Sequence, residues 1–116
     1  MTLAREKCVA CRRDSPRVTA QEIAELSPEI ADWDLKVTDH VPKLERSFKF
    51  PDFSQAITFA AAVGDAAESE GHHPRLTVEW GRVLVEWWTH KIRALHRNDF
   101  VMASKTDRAA EGLAEE

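Results

Sequence analysis

The sequence predicts an α+β fold in which helices cover one face of a four-stranded antiparallel sheet, in the order α-β-β-α-β-β-α. Apolar and polar residues alternate in two pairs of segments, and this period of two is typical of strands with one buried face. A long segment between the two pairs carries its apolar residues at helical spacing instead. Strand pairs separated by helices are typical of an antiparallel sheet with helices on one side. The length of 116 residues favours a single domain.

The first predicted element is a short helix in the segment TAQEIAEL. Thr19 can accept a hydrogen bond at the start of this helix, and Glu22 three residues later completes the pattern of a capping box. Pro28 follows, and it is expected to end the helix or to begin a turn, because proline has no N–H to donate.

A strand pair is predicted next, in the segments DWDLKVTD and KLERSFKF. Apolar residues alternate with polar ones in both segments, and Arg46 is the one misfit. Residues 39–42 can form the turn between the segments, so the pair is expected to be a hairpin. The face that is predicted to be buried carries Trp33, Leu35, Val37, Leu44, Phe48 and Phe50.

The clearest helical pattern is the segment PDFSQAITFAAAVGDAAESEG. Asp52 is a suitable N-cap, and Gly71 stands where a helix commonly ends. Gly64 lowers helix stability, and a close approach to the sheet would explain its presence. Glu68 lies in the last turn, where the helix dipole disfavours a carboxylate, which hints at another role. The apolar stripe consists of Phe53, Ala56, Ile57, Ala60, Val63, Gly64 and Ala67.

A second strand pair, RLTVEW and RVLVEWWTH, is expected to turn near Gly81. The core face of its second strand is predicted to carry Val83, Val85, Trp87 and Thr89, and the opposite face Leu84, Glu86, Trp88 and His90. The final segment DFVMASKTDRAAEGLA is predicted to be a helix, capped by Asn98 or Asp99. Its inward-facing residues are expected to be Phe100, Met102 and Ala103.

Three regions are expected: an irregular N-terminal tail over residues 1–18, the folded domain over 19–112, and an acidic tail over 113–116. The net charge of −4 argues against general nucleic-acid binding. No segment reaches the roughly 18 apolar residues of a membrane span, and the N-terminus lacks the apolar core of a signal peptide, so we expect a cytoplasmic protein without a membrane partner. A solvated basic tail is predicted from Arg5, Lys7, Arg12, Arg13 and Arg17.

Cys8 and Cys11 form a single CxxC motif within the N-terminal tail. A structural zinc site usually needs four protein ligands, and the chain has no second cysteine pair. A thioredoxin-like role would require a neighbouring βαβ pattern, which the sequence lacks. We therefore assign no function to this motif.

Two adjacent histidines occupy the loop EGHHP between the long helix and the following strand. Pro74 favours an extended backbone at His73, so the side chains of His72 and His73 are expected to point to different sides. Metal pairs on helices stand four residues apart instead, so no metal site is predicted. Histidine titrates near neutral pH and suits acid–base chemistry. On spacing alone, a polar surface role for each single histidine remains the alternative.

A longer pattern that includes these histidines resembles pterin-4a-carbinolamine dehydratases. The pattern E-x-x-x-H-H-P is followed by an aromatic residue, a histidine and an aspartate at the spacing of that family. The resemblance covers roughly residues 19–110 and includes the segments DWDL and FKFPDFSQAITFAAAVG. The sequences of several segments are most similar to those of proteobacterial members of the family. The matching residues are Glu68, His72, His73, Pro74, Trp80, His90 and Asp99.

The resemblance implies a reaction, namely removal of water from 4a-hydroxytetrahydropterin to give quinonoid dihydropterin. It implies no cofactor and no metal, because the pterin is the substrate. It also implies a homodimer or homotetramer, and functional coupling to a pterin-dependent hydroxylase such as phenylalanine hydroxylase. Animal members of the family additionally serve as dimerisation cofactors for a transcription factor, so a protein-binding role on the same scaffold is the alternative.

The resemblance also implies roles for individual side chains. We expect His72 and His90 to transfer protons and His73 to bind and position the pterin. Glu68 and Asp99 would hold and tune the imidazoles. Trp33 would wall the pterin ring, although a core role is the alternative for it, and Trp80 is expected to be a core residue of its strand.

Two positions depart from the family pattern near the start of the last helix. Ala94 stands where many members have glycine, and His96 stands where many have a serine or threonine that can cap the helix. The loop that positions Asp99 is therefore expected to differ in detail. His96 is either a surface residue or a replacement cap, and His40 is expected to lie in a turn.

Overall fold

A computed structural model describes residues 3–9 and 15–114, and side chains in the last helix through Gly112. It confirms the α+β fold, with strands in the antiparallel order β1-β2-β4-β3. Short 3-10 turns at Leu3–Arg5 and Ser27–Ile30 supplement the predicted elements. The elements are α1 Ala20–Leu26, β1 Asp34–Thr38, β2 Val41–Lys49, α2 Phe53–Glu70, β3 Arg75–Glu79, β4 Arg82–Trp87 and α3 Arg97–Ala114.

Local sequence signals place the first helix and the first hairpin as expected. Thr19 and Glu22 form both hydrogen bonds of the capping box at the start of α1. Asp39 and His40 connect β1 to β2 with positive φ angles of 53° and 65°. Two left-handed residues match the right-handed twist of a tight hairpin. His40 is therefore a turn residue, as predicted.

The predicted buried face of β1 is wrong for Leu35 and Val37, which are 44% and 65% exposed. Their pairing with Leu44 and Pro42 places both side chains on the helical side of the sheet. However, β1 is an edge strand, and α2 and α3 pack over the other three strands. Only Trp33, which precedes β1, is buried. The apolar alternation therefore identified the strand and its face, but not whether a helix covers it.

Asp52 caps the start of α2, and Gly71 ends the helix in the left-handed conformation, both as predicted. The buried side of α2 consists of Ala56, Phe59, Val63 and Ala67. The predicted stripe was too wide, because Phe53 and Ile57 are 47% and 45% exposed. The close approach expected at Gly64 is also absent, since a Cβ there would meet no described atom within 4 Å.

The core lies between the sheet and the two long helices. Phe48, Val83, Val85 and Trp87 extend from β2 and β4 towards buried residues of α2 and α3. Phe100, Met102 and Ala103 of α3 are fully buried, as predicted. None of the helices in the described part of the chain combines the length and apolar character needed to cross a bilayer.

The N-terminal segment Leu3–Val9 packs on α3, which contradicts the predicted solvated tail. Leu3 is fully buried in the core. Glu6 forms two hydrogen bonds with the Arg97 guanidinium, and Lys105 donates to the carbonyl of Ala4. An apolar anchor and an ion pair thus hold a segment whose composition suggested solvation. Cys11, Arg12 and Arg13 of the predicted tail, and the acidic residues Glu115 and Glu116, lie outside the described residues.

Candidate active site

The three predicted histidines line one pocket of about 290 Å³, together with Gly71, Thr89 and Lys91. Two chain segments form it: the loop that follows α2, and the segment that follows β4. Gly71 adopts φ 64° and turns the chain out of α2, so that His72 and His73 follow at once. Residues 71–73 and 89–91, which are at least 16 positions apart in the sequence (89 − 73), are thereby brought to one surface.

His72 is the most enclosed of the three imidazoles, with 7% of the residue exposed. Its Nε2 lies 2.6 Å from Oδ1 of Asp99, a distance typical of a hydrogen bond to a carboxylate. The ring also stacks on the indole of Trp87, with 5.9 Å between centroids and 7° between planes. Because Asp99 engages Nε2, only Nδ1 of His72 remains to exchange a proton with a ligand.

Asp99 is fully buried and is held by three groups of the protein. One oxygen contacts His72, and the other accepts hydrogen bonds from the hydroxyl of Thr89 at 2.8 Å and from the backbone N–H of His96 at 2.9 Å. A buried carboxylate is tolerated only when its oxygens are satisfied in this way. The carboxylate can therefore hold one orientation of the His72 ring and stabilise its charged form.

His73 forms the second histidine–carboxylate pair, at the rim of the pocket. Its Nε2 lies 2.6 Å from Oε1 of Glu68, and the two side chains are 58% and 80% exposed. Solvent screens such a pair strongly, so it orients His73 more than it stabilises the fold. The two adjacent imidazoles thus turn to different carboxylates, one buried and one exposed.

His90 is exposed and lies at the other side of the pocket. Its ring stacks on the indole of Trp88, with 4.3 Å between centroids and 27° between planes. No residue in the ranges 3–9 and 15–114 forms a hydrogen bond with either ring nitrogen of His90. A backbone bridge between Thr89 and Ala94 closes the loop that carries His90. Both nitrogens are therefore available to a ligand.

Sequence reasoning missed two residues of this site. Thr89 was assigned to the core face of its strand, and its buried hydroxyl in fact donates to Asp99. The feature of the sequence that could have identified Thr89 is a polar residue at a predicted core position, because a buried hydroxyl needs a hydrogen-bond partner. Lys91 lines the pocket in the turn after His90, and no pattern in the sequence singles it out.

The structure places both predicted tryptophans away from the pocket. Trp33 is 8% exposed, donates its indole N–H to Asp107 at 2.8 Å and packs edge-on against Phe48. It is therefore a core residue in this chain, and it does not line the histidine pocket. Trp80 was expected to be core but is 75% exposed, because it lies in the turn between β3 and β4.

Replacing Trp33 with phenylalanine is expected to lower stability and to leave substrate affinity unchanged. The smaller ring can still pack on Phe48, but the partly exposed carboxylate of Asp107 loses one of its donors, and a hydrogen bond to a charged group contributes about 1.5–3 kcal/mol. Urea unfolding and the KM of the reaction proposed below measure the two effects separately. An increased KM with unchanged stability would indicate instead that Trp33 contacts the substrate.

His96 replaces the serine or threonine cap of α3. Its Nδ1 accepts the backbone N–H of Asn98, and Asp99 accepts the backbone N–H of His96 in return. The predicted caps, Asn98 and Asp99, are thus inside the helix, and Asp99 supplies the reciprocal bond of a capping box. Burial lowers the pKa of His96 below its ordinary value of 6.5, although the charge of Asp99 acts in the opposite direction.

We expect stability to fall with acid in a way that depends on His96. Its folded-state pKa lies below the unfolded value of 6.5, so the unfolded chain binds more protons between these values. The contribution of His96 is full above pH 6.5 and declines as the pH falls from there through the folded pKa. His96→Asn, which caps without titrating, should flatten this part of a pH series of urea unfolding. An unchanged pH dependence would contradict the assignment.

A larger cavity of about 510 Å³ lies elsewhere, between the turn at Ser27–Ile30, β2 and α3. Its guanidinium, from Arg46, is already paired with Asp107 at 2.7 Å and with Asp32 at 3.7 Å. Burial raises the pKa of Asp107, although Trp33 and Arg46 both favour its charged form. Ion pairing within the protein accounts for these groups, whereas the smaller pocket is lined by the three histidines.

Within residues 3–9 and 15–114, no three His, Cys, Asp or Glu side chains are grouped as a metal site would require. The imidazoles of the pocket are instead paired with carboxylates or stacked on an indole. This arrangement suits the transfer of protons to and from a bound molecule, because an imidazole can act both as an acid and as a base.

Comparison with known proteins gives consistent matches over most of the chain. The sequence profile of pterin 4 alpha carbinolamine dehydratase matches residues 16–109. A Gloeobacter violaceus protein named "Putative pterin-4-alpha-carbinolamine dehydratase 1" is 56% identical over 110 residues, which are 95% of each chain.

Two solved structures are also similar. The Brucella melitensis transcriptional coactivator/pterin dehydratase has a TM-score of 0.72 and 34% identity, over 82% of this chain and 99% of that one. A pterin dehydratase-like RuBisCO assembly factor of the alpha-carboxysome has a TM-score of 0.58 and 21% identity, over 68% of this chain and 89% of that one, and it shows the fold alone. The profile and the identities establish that this chain belongs to the pterin-4a-carbinolamine dehydratase family.

Proposed function

We propose that this protein dehydrates 4a-hydroxytetrahydropterin to quinonoid dihydropterin, with His72, His73 and His90 as its catalytic residues. The observation that carries the proposal is the convergence of three imidazoles on one pocket, two of them paired with carboxylates. The pocket volume of about 290 Å³ is at the small end of ligand sites, which suits a bicyclic ring.

The reaction requires two proton transfers at adjacent positions of the pterin ring. The C4a–O bond breaks, and the oxygen must gain a proton because hydroxide is a poor leaving group. N5 loses its proton as the C4a–N5 double bond forms. The oxygen leaves as water and the enzyme returns to its starting charge, so an acid and a base suffice. A positioned acid or base contributes about 10²–10⁴-fold to rate.

The contacts of each histidine support separate roles. His90 has both nitrogens available among the described residues, and His72 offers Nδ1 while Asp99 supports its charge. We assign the two proton transfers to these residues. His73 shares its Nε2 with the exposed Glu68 at the rim, where it would bind and orient the pterin ring.

The proposed substrate implies the reaction that supplies it. A 4a-hydroxypterin forms when a pterin-dependent hydroxylase, such as phenylalanine hydroxylase, transfers one oxygen atom to an aromatic amino acid. Dehydration would return the pterin to a form that can be reduced again. We therefore propose a cytoplasmic role in pterin recycling, functionally coupled to such a hydroxylase.

The test is a dehydration assay with substrate generated in situ by a pterin-dependent hydroxylase. Quinonoid dihydropterin is followed by absorbance, with and without the protein. Acceleration by the wild type that is lost in a folded His73→Ala variant would support the proposal. A rate equal to the spontaneous one, with folded protein present, would overturn it and favour a protein-binding role on the same scaffold.

We also propose that the chain forms a homodimer or homotetramer through the outer side of α2. Phe53 and Ile57 expose about half of their surface there, one helical turn apart. Ala61 continues this exposed side in the next turn, so the outer surface carries small and apolar residues. Contiguous exposed apolar surface of this kind marks association sites.

Ile57→Asp is expected to lower the molar mass in solution while the chain stays folded. A carboxylate that had to be buried between subunits would carry a large desolvation cost. Light scattering after size exclusion measures the mass. Thr58→Asp is the matched control, because its exposed position is adjacent but lies on a different side of the helix. Equal masses for the two variants and the wild type would contradict the proposed interface.

A further inference from the structure

We propose that Trp88 is a positioning residue that holds the imidazole of His90 in the orientation needed for proton transfer. The inference rests on the proposed function for its kinetic consequence, but its structural basis is independent. His72 and His73 are each oriented by a carboxylate 2.6 Å away. Among the described residues, His90 has only the stacking contact with Trp88, at 4.3 Å between centroids.

The position of Trp88 directly after β4 brings the two rings together. Trp88 and His90 flank Thr89, which forms a backbone bridge with Ala94, and their rings stack on each other. Trp87 and Thr89, on either side of Trp88 in the sequence, are both buried. Trp87 and Thr89 thus contact the buried His72–Asp99 pair, whereas Trp88 contacts the exposed ring of His90.

Two cationic side chains contact the indole of Trp88. The ammonium of Lys43 lies 4.4 Å from the ring centroid, and the guanidinium of Arg75 lies 5.6 Å from it. Arg75 is locked by two hydrogen bonds to Glu86, at 2.7 and 2.8 Å. Cations over an indole face are attracted by its quadrupole. These contacts therefore restrict the rotation of the Trp88 side chain.

These contacts of Trp88 matter because a catalytic group that moves freely is rarely in the orientation that reacts, which lowers the rate. Trp88 is not among the residues that line the pocket, so it acts through His90 rather than on the ligand. An exposed imidazole without a partner samples several rotamers, and few of them place a nitrogen at the reacting atom. A misplacement of about 1 Å can cost about 10²-fold in rate. The expected effect of losing the stacking contact with Trp88 is thus on kcat.

The kinetic test is a double-mutant cycle on Trp88 and His90 in the full chain. Trp88→Ala should lower kcat by about 10- to 100-fold with little change in KM, and Trp88→Phe should retain most of the activity because it keeps a stacking ring. In a His90→Ala background, Trp88→Ala should lower kcat no further, because the group on which it acts is absent. Thermal unfolding of every variant checks that the fold is kept.

An equal loss of kcat in both backgrounds would overturn the inference and make Trp88 a general support of the fold. NMR supplies a readout that does not depend on activity. The ring protons of His90, assigned with His90→Gln, should be shifted upfield by the indole and should lose that shift in Trp88→Ala. Absence of the shift in the wild type would refute the stacking, whereas its presence without dehydratase activity would refute only the proposed function.

Discussion

His90→Ala is expected to lower kcat by about 10²–10⁴-fold, the usual contribution of a positioned acid or base. Single-turnover measurement with 4a-hydroxytetrahydropterin separates this step from product release. The free energy of unfolding should change by less than about 0.5 kcal/mol, because His90 is exposed and, within residues 3–9 and 15–114, Trp88 is the only aromatic ring on which it stacks. The expected result is therefore a fully folded protein whose residual kcat is lower by that factor and can still be measured.

A matched control distinguishes a catalytic role from a general effect of removing a surface histidine. His40 is exposed in the turn between β1 and β2, and asparagine tolerates its positive φ of 65°. His40→Asn should keep the wild-type kcat. If His90→Ala retained a rate within about twofold of the wild type, the proton transfer that we assign to His90 would have to be assigned to another group.

Asp99→Ala is expected to cause the largest loss of stability, about 3–5 kcal/mol. The carboxylate is fully buried and accepts from the ring of His72, the hydroxyl of Thr89 and the backbone N–H of His96. Removing it leaves all three donors buried without a partner, and each such group costs about 1–3 kcal/mol. Since domains of this kind are stable by about 5–15 kcal/mol, chemical unfolding should reveal the loss clearly.

Asp99→Asn separates the structural role of this residue from its chemical role. The amide keeps the shape of the side chain and one acceptor oxygen, so most of the stability should remain. However, it is neutral, and hydrogen bonds to charged groups are worth about 1.5–3 kcal/mol, so kcat should fall by about 10- to 100-fold. Wild-type kcat in a folded Asp99→Asn variant would show that the charge of Asp99 does not support His72.

The sequence predicted the features of this protein that depend on neighbours along the chain. Thr19 and Glu22 cap α1, Asp52 caps α2 and Gly71 ends it, because each of these hydrogen bonds spans only a few residues. The strands followed from the alternation of apolar side chains. The family resemblance, rather than spacing alone, predicted that the three histidines act together, and they line one pocket.

The packing of whole elements could not be predicted in the same way. Leu35 and Ile57 carry the apolar character of core residues, yet both are about half exposed because no described element covers them. Leu3 belongs to a segment whose charges suggested solvation, and it is fully buried against the core. Periodicity shows which face of an element is apolar, but only the assembled layers show what lies over that face.

The sequence by itself determined the fold class, the helix caps of α1 and α2, and the histidines of the candidate site. The resemblance implied that Glu68 and Asp99 hold imidazoles, but only the tertiary structure decided which carboxylate pairs with which ring, with Asp99 against His72 across 27 positions, and placed the indole of Trp88 against His90. It also placed Trp33 in the core and made His96 the cap of α3. The physical reason is that local hydrogen bonds and periodicity depend on sequence neighbours, whereas burial and long-range contacts depend on how the layers pack.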